Sequence, residues 1–100
     1  MEEYVVGKQL KRARHLINIG SYAGAINILK SIIDRQEEIW DTFLLMGAAY
    51  LGLGELDNAE IYSEKGLALN GKVPQLWLQF AIVEQQRGKH EAALRILNES

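Results

Sequence analysis

The chain of 100 residues contains no cysteine and a single proline, and aromatic residues make up only 8% of it. The missing cysteine excludes disulfide bonds and thiolate metal sites, and it leaves the redox compartment open. No apolar run approaches the roughly 20 residues that a membrane-spanning helix needs, so we expect no contact with a membrane. The net charge of −2 gives no general attraction to nucleic acid or to anionic lipid.

The composition is that of a soluble folded protein, with 48% hydrophobic and 24% charged residues. The start of the chain, Met1-Glu2-Glu3-Tyr4, is acidic and unlike a secretory signal, so we expect a cytoplasmic protein. No segment alternates with a period of two residues, which predicts an all-α fold without a sheet. Nothing divides the chain by composition, and we therefore expect one domain over residues 1–100.

Glycine and alanine recur along the chain at one fixed interval. The repeated residues are Gly20, Gly54 and Gly88, each followed five positions later by Ala25, Ala59 and Ala93. A period of about 34 residues is typical of stacked helix–turn–helix units. It predicts three of them, over about 6–39, 40–73 and 74–100, the last one truncated. Glycine at the C-terminus of a helix readily adopts the left-handed conformation, so each unit should be two helices separated at the shared glycine.

The predicted boundaries follow from helix-capping residues. The first helices of the units are expected at about 3–19, at 38–53, and from Pro74 to the stop at Gly88. The second helices are expected from an N-cap at Ser21 to Arg35, at 57–69, and from His90 onward. A second set of small residues aligns at Ala13, Gly47 and Ala81. We expect both small sets to lie where paired helices cross closely.

The second and third units resemble the tetratricopeptide repeat, whose first helix reads W-x2-L-G-x2-Y. The residues that carry the resemblance are Phe43, Met46, Gly47, Tyr50, Gly54 and Ala59, and then Trp77, Phe80, Ala81, Gly88 and Ala93. The first unit matches less well, with Gln9 and Arg12 in place of the aromatic residue and the leucine. The resemblance implies a right-handed superhelical stack whose first helices line a concave groove. It also implies an interaction module, a scaffold or adaptor for proteins, rather than an enzyme.

One subclass of this family binds a C-terminal carboxylate through lysine, asparagine and arginine side chains. The positions that would carry them here are held by Leu10, Arg14, Leu45, Gln75 and Gln79. None matches the required residue type, so we do not expect a carboxylate clamp.

By analogy with the family, nine residues face the groove, three from each first helix. They are Leu10, Arg14 and Ile17, then Leu44, Ala48 and Leu51, and then Leu78, Ile82 and Gln85. Six of the nine are large and apolar. We therefore expect the groove to take an apolar or amphipathic peptide or helix of a partner protein. The alternative is that the curvature of the stack itself buries part of this row.

Other partners and roles stay open. The chain could be a chaperone for a secretion or pilus subunit, or a docking segment of a larger multi-repeat protein or enzyme. The basic residues of the first helix (Lys8, Lys11, Arg12, Arg14 and His15) are interpreted as a solvated outer face, and the alternative is a basic patch for an acidic partner or for nucleic acid. No aromatic residues interleave with them, so nucleic acid is not the expected partner. We expect Leu94, Ile96 and Leu97 to be partly uncovered, and self-association there is a further alternative.

No pattern in the chain indicates catalysis, a metal site or a cofactor. His15 and His90 lie in different units, without carboxylates at ligand spacing near both. The serines lack a nucleophile elbow, and Gly52-x-Gly54 follows a predicted helix rather than a strand. We expect no enzyme activity.

Overall fold

The computed structural model describes the backbone of residues 2–35 and 38–99 and shows six α-helices with no strand in those ranges. The helices are α1 (Glu2–Asn18), α2 (Tyr22–Asp34), α3 (Trp40–Leu53), α4 (Leu56–Leu69), α5 (Pro74–Gln86) and α6 (His90–Glu99). The all-α expectation is confirmed, and each helix lies within a few residues of its predicted position. Met1 and Ser100, the ends of the predicted domain, lie outside the described residues.

The repeated glycines separate the two helices of each pair, as their periodic spacing predicts. Gly20, Gly54 and Gly88 have φ angles of 84°, 76° and 84°, in the left-handed region that residues with a Cβ avoid. At the end of α3, the Gly54 amide donates to the Leu51 carbonyl and the Glu55 amide donates to the Tyr50 carbonyl. The chain therefore reverses in a tight turn, and α3 and α4 lie side by side.

One predicted cap is absent. Ser21 does precede α2, but its side chain makes no capping hydrogen bond. Its φ and ψ of −87° and 64° are outside the extended region that a capping residue usually adopts. The Ser21 amide instead donates to the Leu16 carbonyl at 2.7 Å, so the backbone turn after α1 determines the geometry there.

Small residues occupy the helix crossings, as predicted from their alignment. All six are buried: Ala13, Gly47, Ala81, Ala25, Ala59 and Ala93. Large apolar side chains fill the space around them, and the least accessible of these are Leu29, Ile32, Met46, Leu76 and Val83. The small residues let the paired helices approach closely, and the large side chains fill the core between them.

The helix pairs are stacked rather than closed into a bundle. α3 contacts both α1 and α5, whereas α2, α4 and α6 make no contact with one another among the described residues. The molecule is correspondingly elongated, with dimensions of 44 × 26 × 19 Å. Because the first helices contact one another across units and the second helices do not, the first helices lie on the inner side of the curvature. Within the described ranges, no helix combines the length and the apolar character that crossing a bilayer requires.

Candidate partner-binding groove

The nine residues predicted to face the groove lie on α1, α3 and α5, the three helices that contact in series. None of the nine is fully buried. Arg14, Leu78 and Gln85 are exposed, while the other six are half-buried: Leu10, Ile17, Leu44, Ala48, Leu51 and Ile82. α1 and α5 both contact α3 but not each other, so we refer to the α3 residues as the floor of the candidate groove and to the α1 and α5 residues as its walls.

The candidate groove is anchored to the core but keeps apolar surface available. Leu10, Ile17 and Leu51 pack with part of their side chains against the buried cluster. Leu78 is 52% exposed, although it carries one of the larger apolar side chains of the chain. Between Leu44 and Leu51 on α3 stands the short side chain of Ala48, which is half-buried like its neighbours.

A hydrogen bond that the sequence did not predict sets the position of α5 relative to α3. The Gln79 side-chain amide donates to the Leu44 backbone carbonyl at 2.9 Å, and its oxygen accepts from the Ser63 hydroxyl at 2.7 Å. Gln79 fits there because Gly47 has no side chain: a Cβ on Gly47 would overlap the amide oxygen. Gln79 follows Leu78 directly, so this network also fixes the backbone position from which the Leu78 side chain projects.

Arg14 is the one charged residue among the nine predicted groove residues. Its guanidinium Nη2 lies 3.9 Å from Asp41 Oδ1, at the start of α3. The Arg14 side chain is 56% exposed, and exposed pairs at this distance contribute little to stability. Asp41 is not among the predicted groove residues. It is an acidic residue in the first turn of α3, and this position could have been recognised from the sequence.

A second concave surface lies between α4, α5 and α6 and includes none of the predicted groove residues. It is lined mainly by charged side chains around Phe80 and Ile96: Glu60, Glu64, Glu84, Lys89, Arg95 and Glu99. At the equivalent place one unit earlier, the rings of Tyr50 and Tyr62 stack with centroids 5.6 Å apart. Glu84 and Ile96 hold the positions of those tyrosines in the third unit, so the cleft stands where the aromatic pair would be.

The carboxyl groups of Glu84 and Glu60 interact directly in this cleft. The pKa of Glu84 is raised above its ordinary value of 4.5, first by a hydrogen bond with Glu60, then by burial, and then by repulsion from the Glu60 charge. Lys89 and Arg87 act in the opposite direction. Arg87 also pairs with Asp57 and with Glu60, which connects α5 to α4. Three of the charged residues that line the cleft, Glu60, Glu84 and Lys89, thus interact with other charged groups.

The histidines considered as candidates for catalysis or metal binding lie apart in the structure. His15 lies on α1 and His90 begins α6, and both are exposed. Across the part of the chain that is described, no three histidine or acidic side chains come together as a metal site. Gly52 and Gly54 lie at the end of α3, and the Tyr22 ring packs over Gly52.

Comparison with known proteins supports the helical-repeat architecture. No family model matches the chain, and no curated protein sequence matches it. A solved structure, MamA 41-end from Desulfovibrio magneticus RS-1, superimposes with a TM-score of 0.85 over 91% of this chain, at 16% sequence identity. The chain spans about half, 51%, of that structure's length. The likeness shows the fold, a stack of helical repeats of the tetratricopeptide type.

Proposed function

We propose that the chain is a protein–protein interaction module, which holds an apolar or amphipathic helix of a partner across α1, α3 and α5. The observation that carries the proposal is the row of six large apolar side chains that the core leaves partly exposed on three adjoining helices. Isolated exposed apolar residues are common on protein surfaces, but an extended row is typical of an interaction site. Stacked helical repeats usually present such concave surfaces for binding.

The expected affinity follows from the apolar area. Full burial of a leucine-sized side chain contributes about 1.5–3 kcal/mol, and a half-buried one contributes about half of that. Six such side chains supply about 5–9 kcal/mol, from which the cost of association is subtracted. Because a micromolar dissociation constant corresponds to about −8 kcal/mol, apolar contacts alone support micromolar or weaker binding.

The test compares two aspartate substitutions in side chains of similar exposure. Leu78→Asp places a charge on the groove wall, and Ile61→Asp places the same charge on α4, where Ile61 is 48% exposed. A library of short helical peptides is selected on the unmodified protein, and the dissociation constant of the best binder is measured by fluorescence anisotropy. We expect Leu78→Asp to weaken binding by about tenfold or more, because the contact would bury a charge.

Ile61→Asp should leave the dissociation constant within about twofold, and circular dichroism should show full helicity for both variants. Equal losses in the two variants, or binding that survives Leu78→Asp, would show that the partner does not use this groove.

A further inference from the structure

The first helix carries a cluster of basic side chains on its exposed surface. Lys8, Lys11, Arg12, Arg14 and His15 are all exposed on α1. Residues 4–33 contain no aspartate or glutamate. Six lysines and arginines against three acidic residues give residues 1–35 a net charge of +3, whereas five against ten give residues 36–100 a net charge of −5. Such an asymmetry attracts acidic partners to one end of the stack.

The repeat shows why these basic side chains are accessible. In the second unit, the positions of Lys8, Lys11, Arg12 and His15 are held on α3 by Thr42, Leu45, Met46 and Ala49. Those four α3 residues are buried, in a helix that packs against both α1 and α2. On α1 no described helix covers the same face, which is cationic instead of apolar. A face of uncharged polar residues would be solvated equally well. Exposure to water therefore does not explain why all the charges on this face are positive.

The cationic face meets the groove at Arg14. Arg14 shares a helix face with Leu10 and Ile17, at spacings of four and three residues, and Lys11 lies one turn before it. The opposite wall, on α5, is uncharged: Leu78, Ile82 and Gln85. One wall of the groove thus carries a single cation, Arg14, between two apolar residues, while the floor is apolar and the other wall is apolar to neutral.

The ion pair between Arg14 and Asp41 does not prevent Arg14 from binding another carboxylate. Its 3.9 Å separation exceeds the roughly 2.7–2.9 Å of a direct charge-assisted hydrogen bond. A carboxylate from a ligand that excludes water would approach Arg14 more closely, and the weak exposed pair would be lost at little cost.

We infer that the occupant of the groove is an acidic amphipathic helix, lying over α3 with apolar residues on Leu44, Leu51 and Leu78 and with carboxylates toward Arg14 and Lys11. This inference rests on the function proposed above. α3 has 14 residues and is about 21 Å long, so a ligand helix of about the same length covers the groove.

The experiment uses three synthetic peptides, each slightly longer than α3, that share one leucine face. They differ on a single flank, which carries three glutamates, three glutamines or three lysines. Dissociation constants are measured by fluorescence anisotropy at about 50 mM and about 300 mM salt. We expect the glutamate peptide to bind about tenfold tighter than the glutamine peptide at low salt, and the lysine peptide to bind weakest. A single-stranded oligonucleotide is measured in parallel.

Two variants with the same charge change locate the effect. Arg14→Glu reverses the charge in the groove, and Arg95→Glu reverses an exposed arginine on α6 that lines the other cleft. Arg14→Glu should weaken the glutamate peptide by about tenfold and strengthen the lysine peptide. Arg95→Glu should change neither by more than about twofold.

The outcomes separate the inference from the function on which it rests. If all three peptides bind equally and Leu78→Asp weakens all three, the groove binds helices but the acidic preference is wrong. Equal losses from Arg14→Glu and Arg95→Glu, or tighter binding of the oligonucleotide than of any peptide, would also overturn the inference. If no peptide binds at millimolar concentration, the proposed function fails together with it.

Discussion

Gln79 and Leu44 are joined by a hydrogen bond between residues far apart in the sequence, from the side-chain amide on α5 to a backbone carbonyl on α3. A carbonyl inside a helix normally accepts only from the amide four residues later. The additional bond connects two groove helices directly, and Ser63 on α4 joins it from the second helix of the α3–α4 pair. Three helices are therefore held by one buried glutamine.

The network predicts the effect of a small substitution on stability. Gly47→Ala should destabilise the protein by about 1–3 kcal/mol, because the new Cβ would displace Gln79 from buried partners. Gly7→Ala is the matched control, since Gly7 also lies inside a helix but a Cβ there would meet no neighbouring atom within 4 Å. It should stabilise the protein by about 0.5–1 kcal/mol through helix propensity. Urea unfolding measures both, and a loss in both variants would contradict the role assigned to Gln79.

The aromatic stack predicts that the second unit is the most stable part of the chain. The Tyr62 ring stacks with Tyr50 and with Phe43, at centroid distances of 5.6 and 6.1 Å. We expect Tyr62→Ala to cost about 3–4 kcal/mol. Ile96→Ala, at the equivalent position of the third unit, should cost about 1–2 kcal/mol because Ile96 borders an open cleft. Hydrogen exchange should be slowest in α3. Equal losses of stability in the two variants would contradict the prediction that the second unit is the most stable.

The carboxyl pair predicts a stability that changes with pH. The folded protein raises the pKa of Glu84 above 4.5, so the proton stabilises the fold fully below about pH 4.5. That stabilisation is lost as pH rises through the higher folded pKa, and the ionised Glu84 then opposes folding. Glu84→Gln should therefore raise the melting temperature at about pH 7 and raise it less, or lower it, at about pH 4.

The control for this prediction is Glu64→Gln, which removes an exposed carboxylate from the rim of the same cleft. It tests whether any reduction of negative charge has the same effect. If the two variants shift the melting temperature alike at every pH, the direct interaction of Glu84 with Glu60 is not the cause.

The sequence-based alternative of self-association remains a prediction, and α6 gives it a defined test. Leu94 is 61% exposed there, the highest value among the large apolar side chains of the described residues. If copies associate through this helix, Leu94→Glu should return the protein to a monomer in sedimentation experiments between about 10 and 300 µM. A monomeric unmodified protein across that range would exclude association through α6.

Residues that repeat at a fixed interval predicted most of the fold. Gly54 and Ala59 mark a helix end and a helix crossing by local rules, because the left-handed conformation favours glycine and a close approach requires a small side chain. Each mark recurs in all three units, which also predicts the register of the stack. Ser21 shows the limit of this reasoning, because a residue suited to capping did not make the bond.

The nine groove residues remain a prediction from the sequence, and the hydrogen bonds that join the helices carrying them could not be predicted at all. From the sequence, Gln79 is only a candidate position for a carboxylate clamp, and its real role departs from the repeat: Leu45 holds the same place one unit earlier. Glu60 and Glu84 lie on different helices, and their interaction depends on the angle between α4 and α5. Contacts found in one unit alone leave no periodic signal.

The contacts between the first helices oppose deformation of the stack in both directions. Tighter curvature would compress side chains of α1, α3 and α5 that already touch, whereas straightening would separate these helices and break the hydrogen bond from Gln79 to Leu44. The breadth of the trough is therefore largely established before a guest arrives, and little free energy is spent on reshaping it.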